Sequence, residues 1–469
     1  MKNMKSKRYF TENIALKKIP SPEIDTSINP VPLEDETIRI RLKKILGSMA
    51  EENLDCIIIY EDMEHGGNFE YLTGFLTRFE EALLVLHQNE KAYLILGNEN
   101  RKMADFCRIP AEMIHAPQFS LPNQPMDNEN SIKEILNRAG LKPGMRTGLC
   151  GWKYFTGKNQ NSLLEVPYYI VEGIKRVTGS LPINSTGLWI SPNSGARTTN
   201  NANEIAHYEF GSALSAICVE NALQHIAPGK SEMEIADTLG AFGQKHNVVS
   251  ICATGERFEK ANLYPSTKKV RIGDKFSVTT GFSGGLTSRA GYVVNNAAEL
   301  PENVKNYLEY IAKPYYGAIA AWLENIRIGI SGNELYHLIE TVLPQEKYHW
   351  YLNPGHLCAE EEWLSSPIYK DSPIPLKSGM ILQLDIIPSL TGYGGASAEN
   401  GIALADETLR AAIEEKYPLL WKRFIRRRKY LEDVLHLHLH DEVLPLTDTV
   451  AYYRPFFLNK KCALVLEKS

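Results

Sequence analysis

The first part of the chain alternates amphipathic and wholly apolar segments. Residues 36–53 carry apolar side chains at helical spacing, and this predicted helix leads into DCIIIY, an apolar run typical of a buried strand. FEYLTGF, EALLVLH and KAYLILG are further predicted strands, whereas ENRKMADFC and NSIKEILNRAG are predicted helices. Such alternation indicates an α/β domain, which we place at residues 38–185. Residues 1–37 are polar and contain several prolines, so we expect an irregular N-terminal arm.

The second part of the chain contains a pattern that occurs twice. HIAPGKSEMEIADTLGAF is matched further along by NIRIGISGNELYHLIETV. Each copy has a glycine that ends one helix and a Ser-x-x-Glu capping box that begins the next, Ser231 with Glu234 and Ser331 with Glu334.

A strand that begins at a glycine follows each copy. These strands are GDKFSVTTG and GMILQLDIIP, and equivalent positions in them hold Thr279 and Asp385. The repeat predicts two similar α/β halves around a shared cleft, and two unrelated helix-turn-helix units are the alternative. GIALAD is another predicted strand, and a helical segment with a break or start at Pro418 follows it. With the strand-like tail, this second domain covers residues 195–469.

Composition and charge narrow the classes of function. The 469 residues, 43% hydrophobic and 23% charged, suit a globular protein of two domains, with three as the alternative. A net charge of -5 argues against a nucleic-acid or anionic-membrane partner, and we expect the basic run KRFIRRRKY to be a solvated helix face. No apolar stretch is long enough for a membrane span and the N-terminus lacks the apolar core of a signal peptide, so we expect a cytoplasmic protein.

The seven cysteines are scattered and contain no CxxC pair, which favours reduced thiols over disulfides or a zinc cluster. Cys358 lies two residues after His356, but a nucleophilic Cys-His pair is the less favoured interpretation because nothing nearby orients the two groups.

Three residues in successive segments of the second half are candidate catalytic groups: His356 in NPGHLCAEEEW, Asp385 in LQLDIIP and Glu399 in SAENGIAL. Asp385 stands in an otherwise apolar strand, where an ionised acid needs a partner or a ligand. A structural carboxylate at the end of a sheet is the alternative.

These motifs resemble a known family. FEYLTGF, NEIAHYEFGSALSAICVENAL, APGKSEMEIA, GD before a strand, GH, SGMILQLDIIP and AENGIAL occur in the order found in pita-bread fold proteins, which include methionine aminopeptidase, Xaa-Pro aminopeptidase, prolidase and creatinase. The resemblance implies an α/β (α+β) fold class, with a creatinase/prolidase-like N-terminal α/β domain and a pseudo-twofold pita-bread domain.

The family's metal ligands do not all have counterparts. Metal-dependent members hold two divalent ions with two aspartates, a histidine and two glutamates, and the resemblance places these on Thr279, Ala290, His356, Asp385 and Glu399. Both carboxylates of the first half are therefore absent.

A site histidine of the family also lacks a counterpart, because KANLYPSTKK offers only Asn262, Leu263 and Tyr264. Two carboxylates leave about two positive charges of a dinuclear centre uncompensated, at a cost of several kcal/mol. We expect no metal and no cofactor, and one weakly bound ion is the alternative.

Creatinase, as a metal-free member of the family, suggests acid-base catalysis. We expect His356 to be the general base, because an imidazole titrates near neutrality, and Asp385 or Glu399 to orient it or bind substrate. Tyr264 and Arg289 are weaker candidates for polarising a carbonyl group.

Acidic residues near the expected cleft suggest a cationic ligand. The candidates for substrate binding are Glu361 and Glu362 in AEEEW, and Arg78, Glu80 and Glu81 in the N-terminal domain. Solvated surface charge is the alternative. By resemblance to creatinase-like dimers, we expect a homodimer in which the N-terminal domain lies near the partner's cleft.

Three functional hypotheses follow. The first is a metal-independent, creatinase-like hydrolase or lyase acting on a C–N bond of a small polar nitrogen compound, such as an amine or guanidinium compound. The second is a metallopeptidase similar to Xaa-Pro aminopeptidase. The third is a catalytically inactive protein that binds a peptide or protein in the cleft that corresponds to the family's active site.

Overall fold

The computed structural model describes residues 7–126, 130–262 and 264–468. The polypeptide forms two compact units. One contains residues 33–198, and the other combines residues 7–32 with residues 199–468. Among the described residues, no helix is both long and apolar enough to cross a membrane.

The N-terminal segment differs from the irregular arm expected over residues 1–37. Its strand β1 (Ile14–Lys18) pairs in antiparallel fashion with the last strand of the chain, Cys462–Leu466. Further along, Ile28 is buried in a cluster with Phe210 and Leu214. Residues 1–6 of the expected arm lie outside the described residues. Because the partner of β1 lies at the other end of the chain, the local sequence did not indicate the pairing.

The unit of residues 33–198 contains a mixed six-stranded sheet in the order β5-β4-β3-β2-β6-β7, as the alternating pattern predicts. Its strands are β2 (Cys56–Glu61), β3 (Ala82–His87), β4 (Ala92–Leu96), β5 (Glu112–His115), β6 (Thr147–Cys150) and β7 (Ile183–Asn184). Its helices are α1 (Asp35–Glu51), α2 (Gly67–Thr73), α3 (Ile132–Arg138), α4 (Tyr168–Thr178) and α5 (Gly187–Ile190), with 3-10 turns at Arg101–Phe106, Pro117–Phe119 and Gln160–Ser162.

Two assignments in this unit were wrong. FEYLTGF, predicted as a strand, lies largely in α2, and ENRKMADFC contains a 3-10 turn instead of an α-helix. Phe69, Tyr71 and Leu72 are all buried, so the short helix has the apolar composition typical of a buried strand. Gly74 ends α2 at φ 76°, a left-handed conformation that glycine adopts without strain.

The other unit contains two four-stranded sheets, in the orders β13-β10-β9-β8 and β11-β12-β14-β15. The strands are β8 (Ile251–Thr254), β9 (Lys275–Phe282), β10 (Gly285–Tyr292), β11 (His356–Leu357), β12 (Ile381–Gln383), β13 (Ser397–Glu399), β14 (Gly401–Leu404) and β15 (Val443–Pro445), and β16 (Cys462–Leu466) is the partner of β1. The helices are α6 (Ala202–His225), α7 (Glu232–Ala236), α8 (Glu256–Glu259), α9 (Lys313–Asn325), α10 (Gly332–Val342), α11 (Gln345–Tyr348), α12 (Glu407–Lys416) and α13 (Pro418–Asp433). Short turns occur at Thr11–Asn13, Ala297–Glu299 and Glu302–Val304, and a π-helical turn at Leu308–Ala312 precedes α9.

The predicted internal repeat is confirmed in detail. Ser231 and Ser331 both form complete capping boxes, at the start of α7 and of α10. The glycines before them, Gly229 and Gly329, have φ values of 88° and 85°. The two halves therefore share the capping box and the preceding glycine, while the sheet of the first half also includes β13 from the second.

One stretch of chain joins the two sheets. β13 pairs with β10, and β14, which begins two residues after Glu399, pairs with β12 and β15. The bridging residue is Asn400, whose carbonyl accepts a hydrogen bond from Leu384 N at 3.1 Å. Residues at this junction are held by both halves.

The basic run differs from the solvated helix face expected. It lies in α13, where Arg423 pairs with Glu209 at 2.7 Å and Arg427 pairs with both Glu209 and Asp448. Arg427 is buried, because acids from α6 and from the segment after β15 supply its partners. The start of α13 at Pro418 is as predicted.

Candidate functional site

The three predicted catalytic residues meet where the two sheets join. His356 is the first residue of β11, Asp385 lies just beyond β12, and Glu399 ends β13. All three side chains are buried, and His356 Nε2 lies 4.0 Å from Asp385 Oδ2. These three residues therefore lie in one cluster, and their catalytic role stays a prediction.

The imidazole of His356 is enclosed on several sides. Nε2 lies 3.0 Å from Glu362 Oε1, and Nδ1 lies 3.2 Å from the carbonyl oxygen of Leu357. Trp363 stacks on the ring at a centroid distance of 4.1 Å. Burial alone would lower the pKa of His356, but the neighbouring Glu362 carboxylate and Cys358 together outweigh it and raise that pKa well above its usual value.

The two buried carboxyls interact: Asp385 disfavours the ionisation of Glu399, whereas a hydrogen bond from Glu399 favours that of Asp385. Burial raises the pKa of Asp385 to about 6, and the neighbouring Glu362 adds to this effect while His356 opposes it. Burial, with Asp385 and Glu362 nearby, raises the pKa of Glu399 well above its usual value. Near neutral pH, above the raised pKa of Asp385, that carboxyl is ionised, and its charge together with burial favours the protonated form of Glu399.

Two buried polar atoms of the cluster have no hydrogen-bond partner within the described residues. They are Asp385 Oδ1 and His356 Nε2, whose contact with Glu362 is not aligned as a hydrogen bond. One is an acceptor and the other, in the imidazolium form, is a donor. Buried groups of this kind are rare in native proteins and occur where a ligand or water completes them.

The sheet of the first half presents small side chains beside the acids. The register aligns Thr279, Ser288 and Glu399 across β9, β10 and β13, and it aligns Ser277 and Ala290 with the neighbouring Ser397. Thr279 Oγ1 donates to Ser288 Oγ at 2.7 Å. Alternation along a strand puts these residues on one face.

This face does not suit the dinuclear metal centre of the family. At the two positions of the missing aspartates, Ala290 offers a methyl group and Thr279 a neutral hydroxyl that is already hydrogen-bonded. Hard divalent cations require charged oxygen ligands. Throughout the described ranges, no group of three or more His, Cys, Asp or Glu side chains is arranged to hold a metal ion.

Arg289 does not reach the cluster, contrary to its proposed contact with a substrate carbonyl. It alternates with Ser288 and Ala290 on β10, so its side chain lies on the opposite face of the sheet, where it is buried. Its guanidinium donates to Tyr452 O, Ser288 O, Glu399 O, Asn400 Oδ1 and Thr449 O at 2.6–3.2 Å. These five hydrogen bonds use its full donor set and fix β10 to β13.

The other predicted substrate-binding residues of this unit differ in their exposure and in whether they contact His356. Tyr264 is 69% exposed in a loop, and its neighbour Leu263 lies outside the described residues. Glu361 is half-buried, and Glu362 faces His356. The exposed Tyr264 makes no contact with the cluster among the interactions described.

Arg78, Glu80 and Glu81 belong to the unit of residues 33–198. Glu80 is buried and accepts hydrogen bonds from Asn100 Nδ2 and Glu99 N, so its carboxylate is hydrogen-bonded within its own unit. Arg78 is exposed, and burial raises the pKa of Glu81. A substrate contact of these three residues stays a prediction.

Trp363 was missed by sequence reasoning, although AEEEW places it next to the acids. Its ring covers His356 yet remains 41% exposed. An aromatic residue after three glutamates was the available signal, but the sequence did not tell which face it would cover.

Two family models match the chain. The model of metallopeptidase family M24 matches residues 207–407, and the creatinase/prolidase N-terminal domain matches residues 41–164. No curated protein shows a significant sequence match to this chain. Among solved structures, the Xaa-Pro dipeptidase from Bacillus anthracis is similar, with 17% identity, a TM-score of 0.60, and coverage of 79% of this chain and 96% of that one.

Two further structures agree. The prolidase from Thermococcus sibiricus has 17% identity and a TM-score of 0.62, with coverage of 80% of this chain and 95% of that chain. The X-Pro aminopeptidase from Thermotoga maritima has 18% identity and a TM-score of 0.58, with coverage of 78% and 95%. Identities this low establish a shared fold. The two family models match the chain in the order of its two predicted domains. Those matches, in agreement with the shared fold, show that the chain belongs to the pita-bread family of creatinase- and prolidase-like two-domain proteins.

Proposed function

We propose that this protein hydrolyses a C–N bond in a small peptide-like substrate, and that dipeptides of the Xaa-Pro type are its substrate class. The names of the similar structures, a dipeptidase, a prolidase and an aminopeptidase, support this class. They favour the peptidase alternative over a creatinase-like action on a small amine.

The pair of unpartnered atoms, His356 Nε2 and Asp385 Oδ1, carries the proposal. Hydrolysis of an amide needs a base that takes a proton from water and an acid that gives one to the leaving nitrogen. A buried donor and a buried acceptor in one cluster supply both.

The protonation states suggest which group does what. Asp385, with its pKa raised to about 6, is ionised at neutral pH and accepts the proton of the attacking water. As the water oxygen bonds to the carbonyl carbon and the C–N bond breaks, His356 gives its proton to the nitrogen. Burial and the charge of Asp385 raise the pKa of Glu399, and in its protonated form Glu399 donates a hydrogen bond to the developing oxyanion. His356 thus acts as the acid here, whereas the sequence led us to expect a base.

We further propose that this reaction needs no metal ion. Thr279 and Ala290 leave the first half without ligands, and the remaining cluster provides its own acid and base. A homodimer and a cytoplasmic location remain predictions, and sedimentation of the purified protein at several concentrations checks the first.

Turnover of a panel of Xaa-Pro dipeptides tests the function. The purified protein is assayed after chelation and again with added Mn²⁺, and we expect the same rate in both. His356→Asn and Asp385→Asn should each lower kcat by about 100-fold or more. Glu346→Gln, an exposed carboxylate on α11, is the matched control.

Three outcomes would change the conclusion. Activity that appears only with Mn²⁺ supports the metallopeptidase alternative. Dipeptides that bind without being cleaved support an inactive binding protein. Cleavage of amines or guanidines with no cleavage of dipeptides supports the creatinase-like hypothesis.

A further inference from the structure

The three consecutive glutamates of AEEEW have different surroundings. Glu360 accepts a hydrogen bond from Tyr208 Oη at 2.6 Å. Glu362 turns inward, and its Oε1 lies 3.0 Å from His356 Nε2 while its side chain is 17% exposed. Among these glutamates, Glu362 is the one in contact with the catalytic histidine.

Both nitrogens of His356 face acceptor atoms. Nδ1 lies 3.2 Å from the carbonyl oxygen of Leu357, which can only accept a hydrogen bond, and 3.9 Å from Sγ of Cys358, which is a weak acceptor and a weak donor. Nε2 faces Glu362, with Asp385 Oδ2 at 4.0 Å beyond. A histidine that binds a metal ion must instead offer one unprotonated nitrogen.

The contact between Glu362 and His356 also leaves the proton available. Nε2 is close enough to the carboxylate for a strong charge interaction, yet the two are not aligned as a hydrogen bond. Trp363 fixes the plane of the ring from one side. A proton on Nε2 is therefore stabilised without being committed to Glu362.

We propose that Glu362 is a positioning residue that takes the place of a metal ion beside His356, and keeps a proton on Nε2 for transfer to the leaving nitrogen. This role rests on the proposed function. It differs from the sequence-based expectation that Glu362 binds substrate directly.

Nitrogen-15 spectra of selectively labelled histidine test the pair without substrate. The His356 signals are assigned by their loss in His356→Asn. At neutral pH we expect both ring nitrogens of the wild-type protein to be protonated, Glu362→Gln to lose one of the protons, and Glu362→Asp to keep both. Glu360→Gln is the matched control, because its carboxylate bonds to Tyr208 instead.

Measurement of substrate turnover is the second test of this role. We expect Glu362→Gln to lower kcat by about 100-fold with little change in KM, as the loss of one acid-base partner does, and Glu362→Asp to recover part of it. An unchanged His356 spectrum in Glu362→Gln, or a rise in KM at constant kcat, would overturn the positioning role. Normal spectra without any wild-type turnover would overturn the proposed function while leaving the pair intact.

Discussion

Asp385 and Glu399 are two carboxyl groups in one buried region, and their charges are costly there. Burial raises the pKa of Asp385 in the folded protein to about 6, against 3.8 for an ordinary aspartate. Between these two values the folded state binds more protons than the unfolded state. The free energy of unfolding therefore falls as the pH rises through this window.

Replacing Asp385 with asparagine should remove this penalty. We expect Asp385→Asn to raise the free energy of unfolding above pH 6 by on the order of 1 kcal/mol, and to converge with the wild type in acid. Urea unfolding at several pH values measures the difference, and Asp433→Asn at the exposed end of α13 is the control. A variant less stable than the wild type at pH 8 would contradict the assignment.

At the scale of secondary structure, the register of β9, β10 and β13 decides what the first half can bind. Thr279 and Ala290 lie on the same face as Glu399, in neighbouring rows of the sheet. Aspartates at these two positions would add the charged oxygens that are missing.

The double variant Thr279→Asp with Ala290→Asp should gain a divalent-cation site. We expect its Tm to lie below that of the wild type in chelator, because two more charges are buried, and to rise with excess Mn²⁺. Saturating at 100 times Kd adds about 2.7 kcal/mol to the free energy of unfolding. The corresponding double asparagine variant is the control.

Calorimetry with and without Mn²⁺ provides the measurement. The wild type should show no metal-dependent shift of Tm. An equal shift in both proteins would mean that the wild-type cluster already holds an ion.

At the scale of the whole molecule, the N-terminal segment completes the unit that carries the site. Ile28 is 6% exposed and packs in the cluster with Phe210 and Leu214. We expect Ile28→Ala to lower the free energy of unfolding of this unit by about 2–4 kcal/mol. The unit of residues 33–198 should keep its own stability.

Limited proteolysis under mild denaturant separates the two effects. Fragments from residues 199–468 should appear earlier in Ile28→Ala than in the wild type, and fragments from residues 33–198 should not. Ile272→Ala, at an exposed position, is the control. Simultaneous loss of both units would show that their stabilities are coupled.

Much of the fold could be predicted because its signals are local. The capping boxes at Ser231 and Ser331 and the glycines before them reveal the repeat, and family motifs supply the rest. The pairing of β1 with β16 and the ion pairs of Arg427 were not predictable, since their partners are distant in sequence. FEYLTGF was misassigned because a short buried helix and a buried strand have the same apolar composition.

The candidate site shows the same limit. His356, Asp385 and Glu399 follow from the strands that carry them, and the structure brings them together. Which of three adjacent glutamates faces His356, and that Arg289 faces away from the cluster, depends on the bend of a loop and the phase of a strand. One residue of offset reverses either assignment.

The stretch from Ser397 to Leu404 belongs to both sheets, and this has a consequence for how the unit opens. Neither sheet can separate from the other without breaking hydrogen bonds of this stretch. Its backbone amides should therefore exchange with solvent deuterium only when the whole unit unfolds. The sheet that contains Thr279 and Ala290 therefore helps, through these hydrogen bonds, to hold the sheet that contains His356 in place.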